Sequence, residues 1–268
     1  MILSTHGVLA SQIASFDADA VAFFTRVTTA GGSLSNTEKV AVNQLVLDMK
    51  SAGIWSAMKA VYPMVGASSA ACKQNLVSSS FTGTFSTGWT FASTGITGNG
   101  TSAYMNTTLA PSGNLSLNSS HLSYYSRTDN RRDQVEIGIG DFTGAESGLY
   151  ILSRTIFGIY HANNSKETNS NMTDYSDSRG FFINNRVSSS AMSLFRNNVK
   201  QTDSSNNTTF LSNLSIYVGA QNSTFANPRL PSNRECAFAS IGDGLTDTQA
   251  SNLYTAVQAF NTTLSRQV

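Results

Sequence analysis

Beyond position 80, apolar and polar residues alternate in short runs broken by Gly, Asn, Ser and Asp. The alternation is cleanest in His121-Leu122-Ser123-Tyr124-Tyr125-Ser126-Arg127 and in Val135-Glu136-Ile137-Gly138-Ile139-Gly140. A period of two sends successive side chains to opposite faces, the pattern of a strand with one face buried. Comparable runs predict strands at 89–92, 103–107, 148–153, 155–160, 179–185, 192–196, 214–219 and 236–242. Asn197 and Asn198 separate Leu194-Phe195-Arg196 from Val199-Lys200-Gln201. Both tolerate positive φ, so they predict a two-residue hairpin turn. Many short strands divided by turn residues predict an antiparallel sandwich rather than a parallel α/β sheet.

The first 65 residues follow a different period. Ala18, Val21, Ala22, Phe23 and Phe24 predict a helix over 17–29 that stops at Gly31-Gly32. Ser35-Asn36-Thr37-Glu38 has the form of a capping box and opens a second helix through Val40, Val42, Leu45, Val46 and Met49. Residues 54–62 predict a short third helix ended by Pro63. Each carries an apolar face that must be buried, against the β domain or a partner subunit. A second capping box, Thr246-Asp247-Thr248-Gln249, starts a final helix with Ala250, Leu253, Tyr254, Val257 and Leu264 on one face. The expected organisation is a helical region over 1–65, a connector over 66–80, and a β-sandwich with its closing helix over 81–268.

The order of hairpin, strand, strand and helix resembles the closing section of laminin-G-like, concanavalin-A-like jelly rolls. Phe24-Thr25-Arg26-Val27, Ala30-Gly31-Gly32, Glu38-Lys39-Val40-Ala41-Val42 and Gly53-Ile54-Trp55-Ser56-Ala57-Met58-Lys59-Ala60-Val61-Tyr62-Pro63 resemble the amino-terminal section of a group of phage structural proteins. In that group a helical region precedes a laminin-G-like jelly roll. Residues 121–128, Ser176-Asp177-Ser178-Arg179-Gly180-Phe181-Phe182 and the stretch from Glu235 to Leu245 are similar to its middle and end.

The resemblance covers most of the chain. It implies a mainly β fold, an antiparallel jelly-roll sandwich with a small N-terminal helical region and a C-terminal helix. It also implies a non-enzymatic bacteriophage virion protein in a tail fibre, spike or capsid-surface position, contributing to host-surface attachment. Other virion proteins and sister subunits of a homo-oligomer are then the expected partners, with a host-surface glycan or protein beyond them. The competing expectations are a decoration or cementing subunit and a tail-borne polysaccharide-degrading enzyme. The group has no agreed catalytic residue, so none transfers, and the ligand-binding residues stay unassigned.

Composition narrows the choice. Charged residues make up 12% of the 268 positions, about half the usual share, and the formal net charge is +1. No basic cluster exceeds Arg131-Arg132, which argues against nucleic acid as a partner. Residues 1–7 lack the basic stretch and apolar core of a secretory signal. No apolar run approaches the roughly 20 residues of a membrane span. The protein is therefore expected to be made in the host cytoplasm and to reach the particle without a leader. Cys72 and Cys236 read as buried reduced thiols, with a disulfide the alternative under oxidising conditions.

Tests for chemistry return little. Jelly-roll glycosidases place two carboxylates on one strand face, about 5 Å apart in retaining enzymes. Here Glu136 is followed on its face by Gly138 and Gly140. No Gly-x-Ser-x-Gly elbow occurs, and Gly95-Ile96-Thr97-Gly98-Asn99-Gly100 lacks the Lys-Ser/Thr of a phosphate loop and reads as turn chemistry. No cofactor is expected. Calcium is the metal most compatible with the residues, through Asp129, Asn130, Asp141, Asp174 and Asp177, yet they meet no spacing rule and serve equally as loop Asx turns. The Asn-x-Ser/Thr sites at Asn106, Asn114, Asn171, Asn222 and Asn261 read as composition. The aromatics of 179–183 and Trp89-Thr90-Phe91 read as core. The polar loop 162–178 is the longest rim on which a binding surface would sit.

Overall fold

The computed structural model describes residues 15–143, 147–155, 158–165, 176–204 and 210–268. In chain order its elements are α1 (Ala18–Thr29), α2 (Asn36–Ser51), β1 (Met58–Tyr62), α3 (Ser69–Cys72), β2 (Thr84–Phe85), β3 (Trp89–Ala92), β4 (Gly95–Gly98) and β5 (Met105–Asn106). There follow β6 (Ser120–Ser126), β7 (Ile137–Asp141), β8 (Ser147–Leu152), β9 (Tyr160–Ser165), β10 (Gly180–Ser188), β11 (Ala191–Arg196) and β12 (Val199–Ser204). The chain closes through β13 (Tyr217–Val218), β14 (Gln221–Ser223), β15 (Cys236–Gly242) and α4 (Asp247–Thr263).

Two sheets face each other. One runs β12-β11-β10-β6-β15-β4-β3 with β1 also on β15, and the other runs β2-β5-β13-β7-β8-β9 with β14 also on β7. Neighbours are antiparallel except β14, which lies parallel to β7. The expected antiparallel sandwich, with helices at both ends of the chain, is what the molecule adopts.

Strand alternation sorts the cores. Leu122, Tyr124, Phe182, Leu194, Ala239 and Ile241 point from the first sheet at Met105, Ile137, Ile139, Leu149, Ile151 and Val218 of the second. The opposite faces of the same strands carry Tyr125, Phe181, Phe195 and Phe238, which pack under α1, α2 and α4. Phe23 and Val27 of α1, Leu45 and Met49 of α2, and Leu253, Val257 and Phe260 of α4 complete that outer core. The protein therefore has three layers, helices on sheet on sheet.

Local signals explain most of the helix ends. Asp17 caps α1 by accepting from the Asp19 N–H at 2.9 Å. Ser35 with Glu38, and Thr246 with Gln249, form both expected capping boxes. Asn197 and Asn198 have φ of 46° and 66°, as the β11–β12 turn requires.

The expected third helix is wrong. Only Trp55–Ala57 makes a single 3-10 turn, and 58–62 is strand β1, paired with β15 from Met58↔Gly242 to Tyr62↔Ala239. Ala60 and Tyr62 enter the inner core while Met58 and Val61 face the helices. A strand covered on both sides is apolar throughout, and over five residues that pattern cannot be told from a helix.

Two further expectations change. Gly95–Gly98 is a strand rather than turn, paired with β3 and, at Ile96, with β15. Of the strand expected over 155–160, residues 156 and 157 lie outside the described residues. Thr155 and Gly158 are not in strand, the Thr155 N–H donates to the Gly158 carbonyl, and the strand starts at Tyr160. The loop expected at 162–178 is strand as far as Ser165, and its residues 166–175, with Asp174 and Asn171, lie outside the described residues.

The segment 66–80 is packed rather than loose. Asn75 is buried and holds the Val61 N–H at 2.9 Å, while the Leu76 N–H donates to the Val61 carbonyl at 2.8 Å. At the other end of the chain, the Arg266 guanidinium donates to the carbonyls of Pro63, Met64 and Ala237 and to Asn261 Oδ1. That side chain ties the region after α4 to β1 and β15.

Candidate functional site

One broad face of the sandwich is sealed by the helical layer, so a ligand has access to the other. On that face Gly138 and Gly140 alternate with the inward Ile137 and Ile139, and Tyr217 and Asn106 alternate with the inward Val218 and Met105. Gly219, at φ 82°, turns the chain back after β13 so that β14 runs beside β7. The chain then crosses the outward face, where Leu230 covers Val135, Tyr150 and Leu152. What stays open is a strip in which Phe225 is exposed, Tyr104, Phe142 and Arg229 are half-buried, and Tyr217 is buried beneath Tyr104.

The strip is stiffly built. Tyr104 and Tyr217 stack with centroids 4.2 Å apart and planes at 8°. Burial raises the Tyr217 pKa, and Asn227 hydrogen-bonds its hydroxyl. The Arg229 guanidinium lies 5.1 Å from the Phe142 ring centroid and donates through Nη1 to Gln221 Oε1 at 2.9 Å. Gln221 and Arg229 also exchange both backbone bonds at 2.9 Å. Phe225 is 83% exposed, far above any other large apolar side chain among the described residues. Its turn is stitched in place: Phe225 N–H to Ser223 Oγ at 3.1 Å, Thr224 N–H to the Gly140 carbonyl at 3.2 Å, and Phe142 N–H to Thr224 Oγ1 at 2.8 Å. The exposed Phe225 ring can stack on a sugar face, and the half-buried Arg229 guanidinium can hydrogen-bond its hydroxyls.

The acidic residues offer no comparable site. Glu136 and Arg234 are both fully buried and ion-paired with each other. Glu136 also accepts from the Ser153 N–H at 2.8 Å and hydroxyl at 3.0 Å. Arg234 Nη2 donates to the carbonyls of Asn130, Arg132 and Arg154. This pair fastens the 130–134 loop and has no open side.

Of the calcium candidates, Asp129 and Asn130 are held against Ser178 beside Asp177, while Asp141 lies apart, and their oxygens take other partners. Asp129 accepts from Arg154 and Ser178, Asp141 from Thr143 and Ser212, and Asp177 from Arg179. Asp174 lies outside the described residues. Among the described residues no three His, Cys, Asp or Glu side chains are placed to hold a metal.

A histidine–serine pair does form, between His121 Nε2 and Ser240 Oγ at 3.1 Å, with Nδ1 2.6 Å from the Asp243 carbonyl. It is fully buried, and burial lowers the His121 pKa to about 4. A neutral imidazole with both nitrogens engaged and no solvent contact cannot meet a substrate. Cys72 and Cys236 are buried and free, and burial pushes the Cys72 thiol up to about 12 and Cys236 up as well.

Sequence reasoning missed the strip because its rings come from separate segments. The one local signal was Phe225, a lone large apolar residue within Asn222-Ser223-Thr224-Phe225-Ala226-Asn227-Pro228. The aromatics it placed in the core are there in part: Phe181 and Phe182 are buried, Trp89 and Phe91 only half so.

The sequence matches no protein-family model and no curated protein. Among solved structures, the chain is similar to domain 4 of AbnA, an extracellular GH43 arabinanase of Geobacillus stearothermophilus determined in complex with arabinotriose. The TM-score is 0.53 at 12% identity, covering 74% of this chain and 98% of that domain. It is also similar to a mutant Trypanosoma rangeli sialidase displaying trans-sialidase activity, with a TM-score of 0.53 at 10% identity over 81% of this chain. This chain spans 39% of that sialidase. At such identities the likeness is one of fold, a β-sandwich.

Proposed function

We propose that this protein is a non-enzymatic, glycan-binding β-sandwich carried on a bacteriophage particle, where it contributes to host-surface attachment. The observation that carries the binding half is the 83% exposed Phe225, held by a hydrogen-bonded turn with half-buried Phe142, Arg229 and Tyr104, on the sheet face left open by the helices. The likeness to an arabinanase domain seen with arabinotriose supports a sugar as the ligand class. Burial of Glu136 against Arg234 favours binding over cleavage, since a catalytic acid must reach its substrate.

The virion half rests on the resemblance to phage structural proteins along the helical region and β15. Val21, Val40 and Leu47 remain exposed on α1 and α2, apolar surface suited to attachment to the particle or to sister subunits. The same surface favours the second reading, a cementing subunit whose contacts are all with neighbours. Weak single sites gain from repetition, so a homo-oligomer fits the attachment reading best.

A glycan array probed with the wild-type protein and with Phe225→Ala separates these. Expected is binding to a defined set of glycans, weakened about 10-fold or more in Phe225→Ala with an unchanged melting temperature, because ring–sugar contact of this kind is worth about 1–2 kcal/mol. Incorporation into particles with no glycan bound would favour the cementing subunit. Release of reducing sugar from any bound glycan would overturn the non-enzymatic reading.

A further inference from the structure

A cleft of about 360 Å³ opens on the helical side, between the last turns of α1 and the segment 73–82 that follows α3. Arg26 and Lys73 line it, with Thr25, Thr29, Gln74 and Ser79, and no carboxylate belongs to its wall. Arg26 is half-buried and spends Nη2 on the carbonyls of Asn75 at 2.9 Å and Leu76 at 3.1 Å, while its Nε is buried without an acceptor among the described residues. The carboxylate nearest in effect, Asp19, is held by Lys50 at 2.6 Å. Lys73 forms no ion pair among the described residues.

Two partly desolvated positive charges thus share one wall without a counter-charge, an arrangement that an entering anion relieves. The carbonyl end of α1 carries partial negative charge that the two cations must outweigh, and it is softened locally. Ala30, Gly31 and Gly32 donate their N–H groups back to the carbonyls of Arg26, Thr28 and Val27, so those oxygens are already satisfied. Burial lowers the Arg26 pKa, the direction expected of a cation held with too few partners. The hydroxyls of Thr29 and Ser79 line the same wall and can serve further oxygens of the ligand, whereas the Thr25 hydroxyl donates to the Val21 carbonyl.

We propose that this cleft is an oxyanion site that takes a phosphate, sulfate or sugar carboxylate group through Arg26 and Lys73. It lies across the molecule from the aromatic strip, so it stands or falls separately from glycan binding there.

The test is an amide-shift titration of the intact protein at low ionic strength with sodium phosphate, sodium sulfate, sodium galacturonate and neutral galactose. Expected are shifts confined to 25–30 and 73–82 with at least one anion, none with galactose, and affinity roughly tenfold or more weaker in Lys73→Met. Lys39→Met, which removes a lysine of α2 outside the cleft, should keep wild-type affinity. Lys73→Gln substitutes if the methionine variant does not melt like wild type. A response to phosphate and sulfate alone assigns a tetrahedral anion, and a response to galacturonate alone assigns an acidic sugar. No shift in the cleft at millimolar anion, or shifts that survive loss of the Lys73 charge, would overturn the site.

Discussion

Arg234 and Arg266 are both fully buried, and they are held in different ways. Arg234 meets a carboxylate, whereas Arg266 is wrapped in carbonyls and one amide, which burial answers by lowering its pKa to about 10. A buried pair broken on one side strands the other charge. Arg234→Met should therefore lower unfolding free energy by about 3–5 kcal/mol in urea titrations. Adding Glu136→Gln to it should recover part of the loss, and a strictly additive double variant would contradict the pairing.

His121 gives a pH signature at the same scale. Its folded pKa of about 4 lies below the ordinary 6.5, so the unfolded chain takes up the proton first as pH falls. Stability is lost between those two values, by about 3 kcal/mol in all. Asp17 and Asp177, held low by Lys50 and Arg179, add their losses only below the ordinary aspartate range. Urea midpoints from pH 7 to 4 should fall steadily and flatten in His121→Gln. An unchanged slope in that variant would assign the pH dependence elsewhere.

At the scale of elements, the chain announces what is local and conceals what is shared. α1, α2 and α4 were legible from caps and a 3.6-residue period, and β6, β7, β11 and β15 from strict alternation or a tight turn. Ser35→Ala and Thr246→Ala should each cost about 1 kcal/mol in thermal or urea melts, because each hydroxyl satisfies an otherwise free helix N–H. No loss in either would mean that the cap contributes nothing beyond packing. Strand β1 was hidden because both its faces are covered, and the two-residue β2 and β5 are too short to carry a period. The strip was hidden for a different reason. Tyr104, Phe142, Tyr217, Phe225 and Arg229 meet only after β13 turns at Gly219 and the following segment folds across β7. The buried Glu136 illustrates the converse: its strand position was legible, but its partner Arg234 is 98 residues away and gave no local sign.

For the molecule as a whole, the helical layer decides which surface is left to do something. It covers the outer face of one sheet with Phe23, Leu45, Leu253 and their neighbours, and on the other side Phe225 stands in solvent with Tyr104 and Phe142 half-buried. On the proposed reading, attachment by the helices and recognition by the opposite face would be complementary tasks on opposite sides of one sandwich. The most direct test is a crystal structure of the protein with the tightest glycan from the array. A sugar ring stacked on Phe225, with Arg229 at its hydroxyls, is the predicted result. A glycan seated on the helical layer, or one that leaves Phe225 untouched, would contradict the account.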